Sequence, residues 1–200
     1  MTVTYNLTRT QLQDECTEGR RLYFYDRGEE IPLVEQGIWQ VYRGVAQLSQ
    51  LSLNGEEVLL GWAQSSTFFG LWLTHVESYQ AKALSEVYLR WYQLNEIEAS
   101  PHLSHTVLTQ VIRRMRQTEA LLAIAGLRRV EEKLSELLQL LKKELGQPVA
   151  EGTRLGVRLT HQNLANAIGT TRVTVTRLLG DFQRQGIISL DGDRHLIIHH

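Results

Sequence analysis

The stretch that most constrains this chain runs from Leu159 to Gly180, LTHQNLANAIGTTRVTVTRLLG. Its middle, Thr171 to Arg177, alternates β-branched and long residues, which is the pattern of a half-buried strand. As a strand, however, it would place Arg177 on the same face as Val173 and Val175. As a helix it gathers Val175, Leu178, Leu179 and Phe182 on one side and leaves Arg172, Val173, Thr176 and Arg177 on the other. Only the helix gives every residue a suitable environment, despite its weak helix formers.

The flanks agree. Thr160 suits the N-cap of a preceding short helix whose apolar residues are Leu164, Ala165 and Ile168. Gly169 can take the positive φ of a sharp inter-helix turn, and Thr171 can cap the second helix. Two short helices joined by a glycine turn form a helix-turn-helix. After it, Gly186 to Leu190, a turn at Asp191-Gly192-Asp193 and Arg194 to Ile198 predict a hairpin wing.

The polar face of the second helix has the donors that duplex DNA requires. Arg172 and Arg177 are suited to bidentate bonds with guanine O6 and N7, and Val173 to a thymine methyl. Thr160, Gln162, Thr171, Thr174 and Thr176 carry hydroxyls and an amide for phosphate oxygens. From Gln147 to His200 six arginines face four acids, a local excess of +2 against −1 for the whole chain. The shift is mild and has the sign that DNA binding needs.

Upstream, the period changes twice. Residues 20–100 read as short strands with glycine turns: Leu22–Tyr25, Ile38–Tyr42, Val45–Leu48, Leu51–Leu53 and Glu57–Leu60 around Asn54-Gly55, and a run from Ala81 to Trp91. Between 102 and 127, Leu108, Val111, Met115, Thr118, Leu122 and Ala125 recur at intervals of 3, 4, 3, 4 and 3. That narrow seam lies opposite Arg113, Arg116, Gln117 and Glu119, and predicts a helix pairing with a second copy. A kink at Gly126 precedes an amphipathic helix over about 130–145, with Leu134, Leu137, Leu138, Leu141 and Leu145 buried. The expected class is α+β, in three parts: a β-roll at 1–101, a dimerisation helix at 102–128, and a winged helix-turn-helix at 129–200.

Several chemistries are set aside. One cysteine, Cys16, excludes a disulfide framework, a four-cysteine zinc site and a cysteine-ligated iron–sulfur cluster. His75, His102 and His105 lack the close His-x-His spacing of a cupin-type metal site, and His199-His200 reads as a chain end. No catalytic constellation or phosphate-cradling glycine loop is legible, so an enzyme is not expected. No apolar run approaches the ~20 residues that span a bilayer, and the N-terminus lacks a signal-peptide core, so the expected location is the cytoplasm, without membrane contact.

The segment from Thr160 to Gly180 resembles the winged helix-turn-helix of the CRP/FNR transcription regulators. The run Arg172 to Asp181 is similar to the cyanobacterial global nitrogen regulator branch. The resemblance implies a cyclic-nucleotide-binding-like roll, a homodimer and a palindromic promoter site of the GTA…TAC type. It implies that Arg172, Val173 and Arg177 read bases, and that the hairpin Leu53 to Glu57 matches a loop that touches RNA polymerase in some family activators. A β-roll module whose helix-turn-helix no longer binds DNA specifically is the alternative.

The effector pocket departs from the family pattern. Phe69-Gly70-Leu71-Trp72 keeps the family glycine but has Leu71 where a ribose-binding Glu is expected. No Arg or Lys lies between Arg43 and Lys82, so an anion in the pocket would lack its counter-charge. The 2-oxoglutarate branch needs an Arg near position 77, which is Glu77. Arg128 matches a ligand-contacting Arg of that branch, and Thr118 matches an adenine contact of the cyclic-AMP receptors, although a seam role explains it equally. Cyclic AMP, 2-oxoglutarate, haem and an iron–sulfur cluster are all disfavoured, and Trp62, Phe68, Phe69 and Trp72 are expected to fill the cavity.

Overall fold

The computed structural model describes residues 20–53 and 55–199. Cys16, Asn54 and His200, considered above, lie outside the described residues. The N-terminal half is a roll of two facing antiparallel sheets. One has the order β1 (Leu22–Tyr25), β7 (Val87–Gln93), β2 (Gly37–Arg43), β5 (Phe68–Phe69). The other has the order β4 (Glu57–Ala63), β3 (Ala46–Leu51), β6 (Tyr79–Ala83). The run from Ala81 to Trp91 is thus two strands in different sheets, separated by a bend at Leu84-Ser85. Inward alternation of Val41, Ala46, Leu48, Ala81, Val87 and Leu89 fills the roll.

A short helix α1 (Leu94–Ala99) leads into the long helix α2 (Pro101–Gly126). Ser100 caps α2 by accepting from the Leu103 N–H, and Pro101 occupies the first position, where its missing N–H costs nothing. The seam residues are left uncovered in the single chain: Leu108, Met115 and Leu122 are 55%, 53% and 72% exposed. The opposite face, with Val107, Leu121 and Ile124, packs inward.

Gln117, on the polar face opposite the seam, is buried. Its Oε1 accepts from the Trp62 backbone N–H at 2.8 Å, and its Nε2 donates to Glu144 at 3.2 Å. The contact is possible because β4 carries a bulge opposite Leu48 and Ser49, followed by Gly61 at φ +139°. A Cβ at Gly61 would lie 2.3 Å from Gln117 Oε1. One side chain therefore ties the roll, α2 and the next helix together.

That next helix, α3 (Val130–Leu145), buries all five leucines expected of it. It then passes into strand β8 (Gly146–Val149), where Pro148 sits at a sheet edge that needs no donor. β9 (Gly152–Leu155) returns, followed by helices α4 (His161–Ile168) and α5 (Arg172–Arg184). The wing strands β10 (Ile188–Leu190) and β11 (Leu196–His199) complete a sheet of order β10-β11-β9-β8. The core of this unit continues into Leu121 and Ile124 of α2 and into Trp62 and Leu84 of the roll. No helix among the described residues is long and apolar enough to cross a membrane.

Candidate nucleic-acid interface

Helix α4 starts in a reciprocal cap. Thr160 Oγ1 accepts from the Asn163 N–H at 3.1 Å, while Asn163 Oδ1 accepts from the Thr160 N–H at 2.9 Å. Gly169 ends it at φ +64°, with the Thr170 N–H bonded to Ala165 O. Thr171 caps α5 by accepting from the Thr174 N–H at 3.2 Å. Val175, Leu178, Leu179 and Phe182 are buried. Four weak helix formers, Val173 to Thr176, cost up to roughly 0.7 kcal/mol each, whereas each buried apolar side chain contributes about 1.5–3 kcal/mol. Packing decides the helix.

The three expected base readers lie together on the exposed side of α5. Val173 is 79% exposed, and Arg172 and Arg177 are also exposed. The Arg177 Nη1 donates to Asp181 at 3.3 Å, one turn along.

The expected phosphate donors are less uniform than their residue types suggest. A hydroxyl has one proton. That of Thr160 goes to Asn163 Oδ1 at 2.7 Å, and that of Thr176 goes to the Arg172 carbonyl at 2.9 Å. Thr171 and Thr174 share a hydroxyl bond at 2.9 Å, which leaves one proton of the pair available. Gln162 spends one N–H on Asn166 Oδ1 at 2.6 Å and keeps the other.

His161, which sequence reasoning passed over, joins the two helices: its Nδ1 lies 2.7 Å from Thr176 Oγ1. The only sequence signal was its place directly after the Thr160 cap.

Helix α4 also docks on the roll. Glu57 Oε1 accepts from Gln47 and from Ser49, both at 2.8 Å, and its Oε2 accepts from Asn166 at 3.3 Å. Gln47 Oε1 in turn accepts from Asn163 at 3.3 Å. Gln47 and Ser49 are buried and Glu57, Asn163 and Asn166 half-buried, so these bonds form in a partly solvated contact between the two units. At the tip of the same hairpin Leu53 is fully exposed.

Beneath the roll a cavity of about 360 Å³ opens toward α2. Of the six residues expected around an effector, Phe69 and Thr118 line it, whereas Gly70, Leu71, Trp72 and exposed Arg128 do not. Nor do the four aromatics fill it together. Trp62 lies in the core shared with the winged unit, and Trp72 is 49% exposed.

The missing counter-charge arrives from α2. Arg114 lines the cavity and donates to the Trp62 carbonyl at 3.4 Å. Burial lowers its pKa, and burial raises that of Tyr79 across the cavity. Arg114 is the one cation among the described lining residues, and Glu119 lines the same cavity. No cluster of three potential metal ligands occurs among the described residues.

A strand roll joined by a long helix to a capped, winged helix-turn-helix defines a regulator of the helix-turn-helix class. Residues 132–200 match the model of the Crp-like helix-turn-helix domain. The chain is 34% identical to the regulatory protein CysR of Synechococcus elongatus, over 85% of this chain and 80% of that one. It is 33% identical to the global nitrogen regulator of a Nostoc species, over 76% of this chain and 73% of that one. Among solved structures, FixK2 from Bradyrhizobium japonicum shares the fold at TM-score 0.75 and 19% identity, covering 90% of this chain and 93% of that one. The chain belongs to the CRP/FNR family of transcription regulators.

Proposed function

We propose that the protein binds a palindromic promoter site of the GTA…TAC type as a homodimer, one recognition helix per half-site. The observation that carries this reading is the exposed face of α5, where Arg172, Val173 and Arg177 stand clear while the opposite face is fully packed. Arg172 and Arg177 read guanine edges and Val173 a thymine methyl. Gln162 and the Thr171–Thr174 pair hold phosphates, with Thr160 and Thr176 acting through the helix caps and backbone they secure.

The uncovered seam from Leu108 to Ala125 joins the two copies, within the division into roll, dimer helix and winged unit at 1–101, 102–128 and 129–200. The projecting hairpin around Leu53 offers RNA polymerase a contact. No cofactor is required: the docking of α4 on Glu57, Gln47 and Ser49 holds the winged unit with its reading face free. One observation favours a second effector reading, a small monoanion on Arg114.

A mobility-shift titration tests the proposal with the palindrome against a scrambled duplex of equal length, at two salt concentrations. The expected result is a shift specific to the palindrome that weakens steeply with salt. Equal affinity for both duplexes would favour a roll module whose helix-turn-helix has lost specificity.

A further inference from the structure

The carboxylate of Asp181 sits between two arginines on the exposed side of α5. Arg177 Nη1 donates to its Oδ2 at 3.3 Å, and Arg184 Nη2 donates to its Oδ1. The side chain of Asp181 is 29% exposed, against 67% for Arg177 and 73% for Arg184. The carboxylate is therefore the sheltered member of the three, at the side of a groove that α5 forms with Arg129, Val130 and Glu131 at the start of α3. By contrast, no ion pair among the described residues engages Arg172.

A negative charge on a DNA-reading helix works against binding, because every phosphate it approaches repels it. Its presence beside a base-reading arginine calls for a compensating role. An arginine in solvent samples many rotamers, and reading guanine requires one plane and one edge.

We propose that Asp181 is a positioning residue that sets base specificity. Arg184 fixes its carboxylate, and the carboxylate holds the Arg177 guanidinium by Nη1. The Nε–H and Nη2–H pair remains as the parallel fork for guanine O6 and N7. This inference rests on the assignment of Arg177 to base reading.

The test uses the full chain and fluorescence anisotropy on the palindromic duplex and on duplexes substituted symmetrically at each base pair. Variants are D181A, D181N, D181E, R177A and the double D181A/R177A. D181A should lose roughly tenfold discrimination at the same base pair as R177A, and keep discrimination at the pair read by Arg172 within about twofold. D181E should recover part of the loss, and D181A should add nothing in the R177A background. D181N, which keeps the side-chain shape, serves if D181A unfolds, and should fall between wild type and R177A.

A uniform rise in affinity on all duplexes with base preference unchanged would overturn the proposal and leave Asp181 as a surface charge. If R177A itself leaves every base preference intact, the assignment of Arg177 fails, and the role of Asp181 with it. If R177A loses one base pair and D181A does not, only the role of Asp181 fails.

Discussion

The winged unit and the roll bear opposite relations between sequence and site. In the winged unit the reading residues fall within one helical turn and a half, and the buried residues that orient them fall in the same helix. In the roll, the contacts that tie it to the helices come from far along the chain. Gln117 reaches Trp62 across 55 residues, Asn166 reaches Glu57 across 109, and Asn163 reaches Gln47 across 116. A local surface can keep its chemistry while the body behind it changes. A cavity assembled from distant segments depends on all of them at once.

The difference can be broken first at the dimer seam. Met115→Glu with Leu122→Glu alters side chains already exposed in the single chain, so the fold should persist. Sedimentation should show a monomer, and affinity for the palindrome should fall to the non-specific level, roughly a thousandfold or more. A dimer that survives with full affinity would remove the seam from the interface.

The division into units is tested next by melting. Leu138→Ala, in the core shared by α3, α4 and α5, should cost about 2–5 kcal/mol in chemical denaturation. Because Trp62 and Leu84 belong to that same core, the variant should lower one common calorimetric transition. Two separated transitions, with that of the roll unmoved, would show that the shared core does not couple the units.

A smaller change sharpens the link between roll and helices. Gln117→Leu removes the acceptor of the buried Trp62 N–H and the donor to Glu144. Leaving such groups unpaired should cost about 1–3 kcal/mol, read as a shift in the denaturation midpoint.

The smallest effect lies in the wing. The hydrogen bond from Arg154, followed by that from the His195 N–H, holds the Asp191 carboxyl below the usual aspartate range. A lowered folded pKa stabilises above the unfolded value of about 3.9 and loses that stabilisation as pH falls through the folded value. Urea midpoints of the wild type should therefore fall more steeply below about pH 4 than those of Asp191→Asn. Parallel curves would show that the Arg154 pair contributes nothing.

Legibility followed the same divide. The leucine stripe of α3, the caps at Thr160 and Thr171 and the turn at Gly169 are written in consecutive residues, so periodicity and cap chemistry find them. The burial of Gln117 is not legible in its sequence neighbours, because none of them records the bulge at Gly61 that admits it. Arg114 escaped the search for a pocket cation because that search covered the roll, while the helix supplies the charge. Thr160 and Thr176 were read by residue type, and only geometry shows that their protons are already committed.

One measurement bears on both regions together: the affinity of the purified, ligand-free protein for the palindrome at physiological salt, repeated with cyclic AMP and with 2-oxoglutarate. A reading face held by the docked roll predicts a dissociation constant of roughly 10⁻⁸ M or tighter, unchanged by either compound. Binding that appears only when one of them is added would contradict it, and would mean that the cavity, not the docking seam, governs the recognition helix.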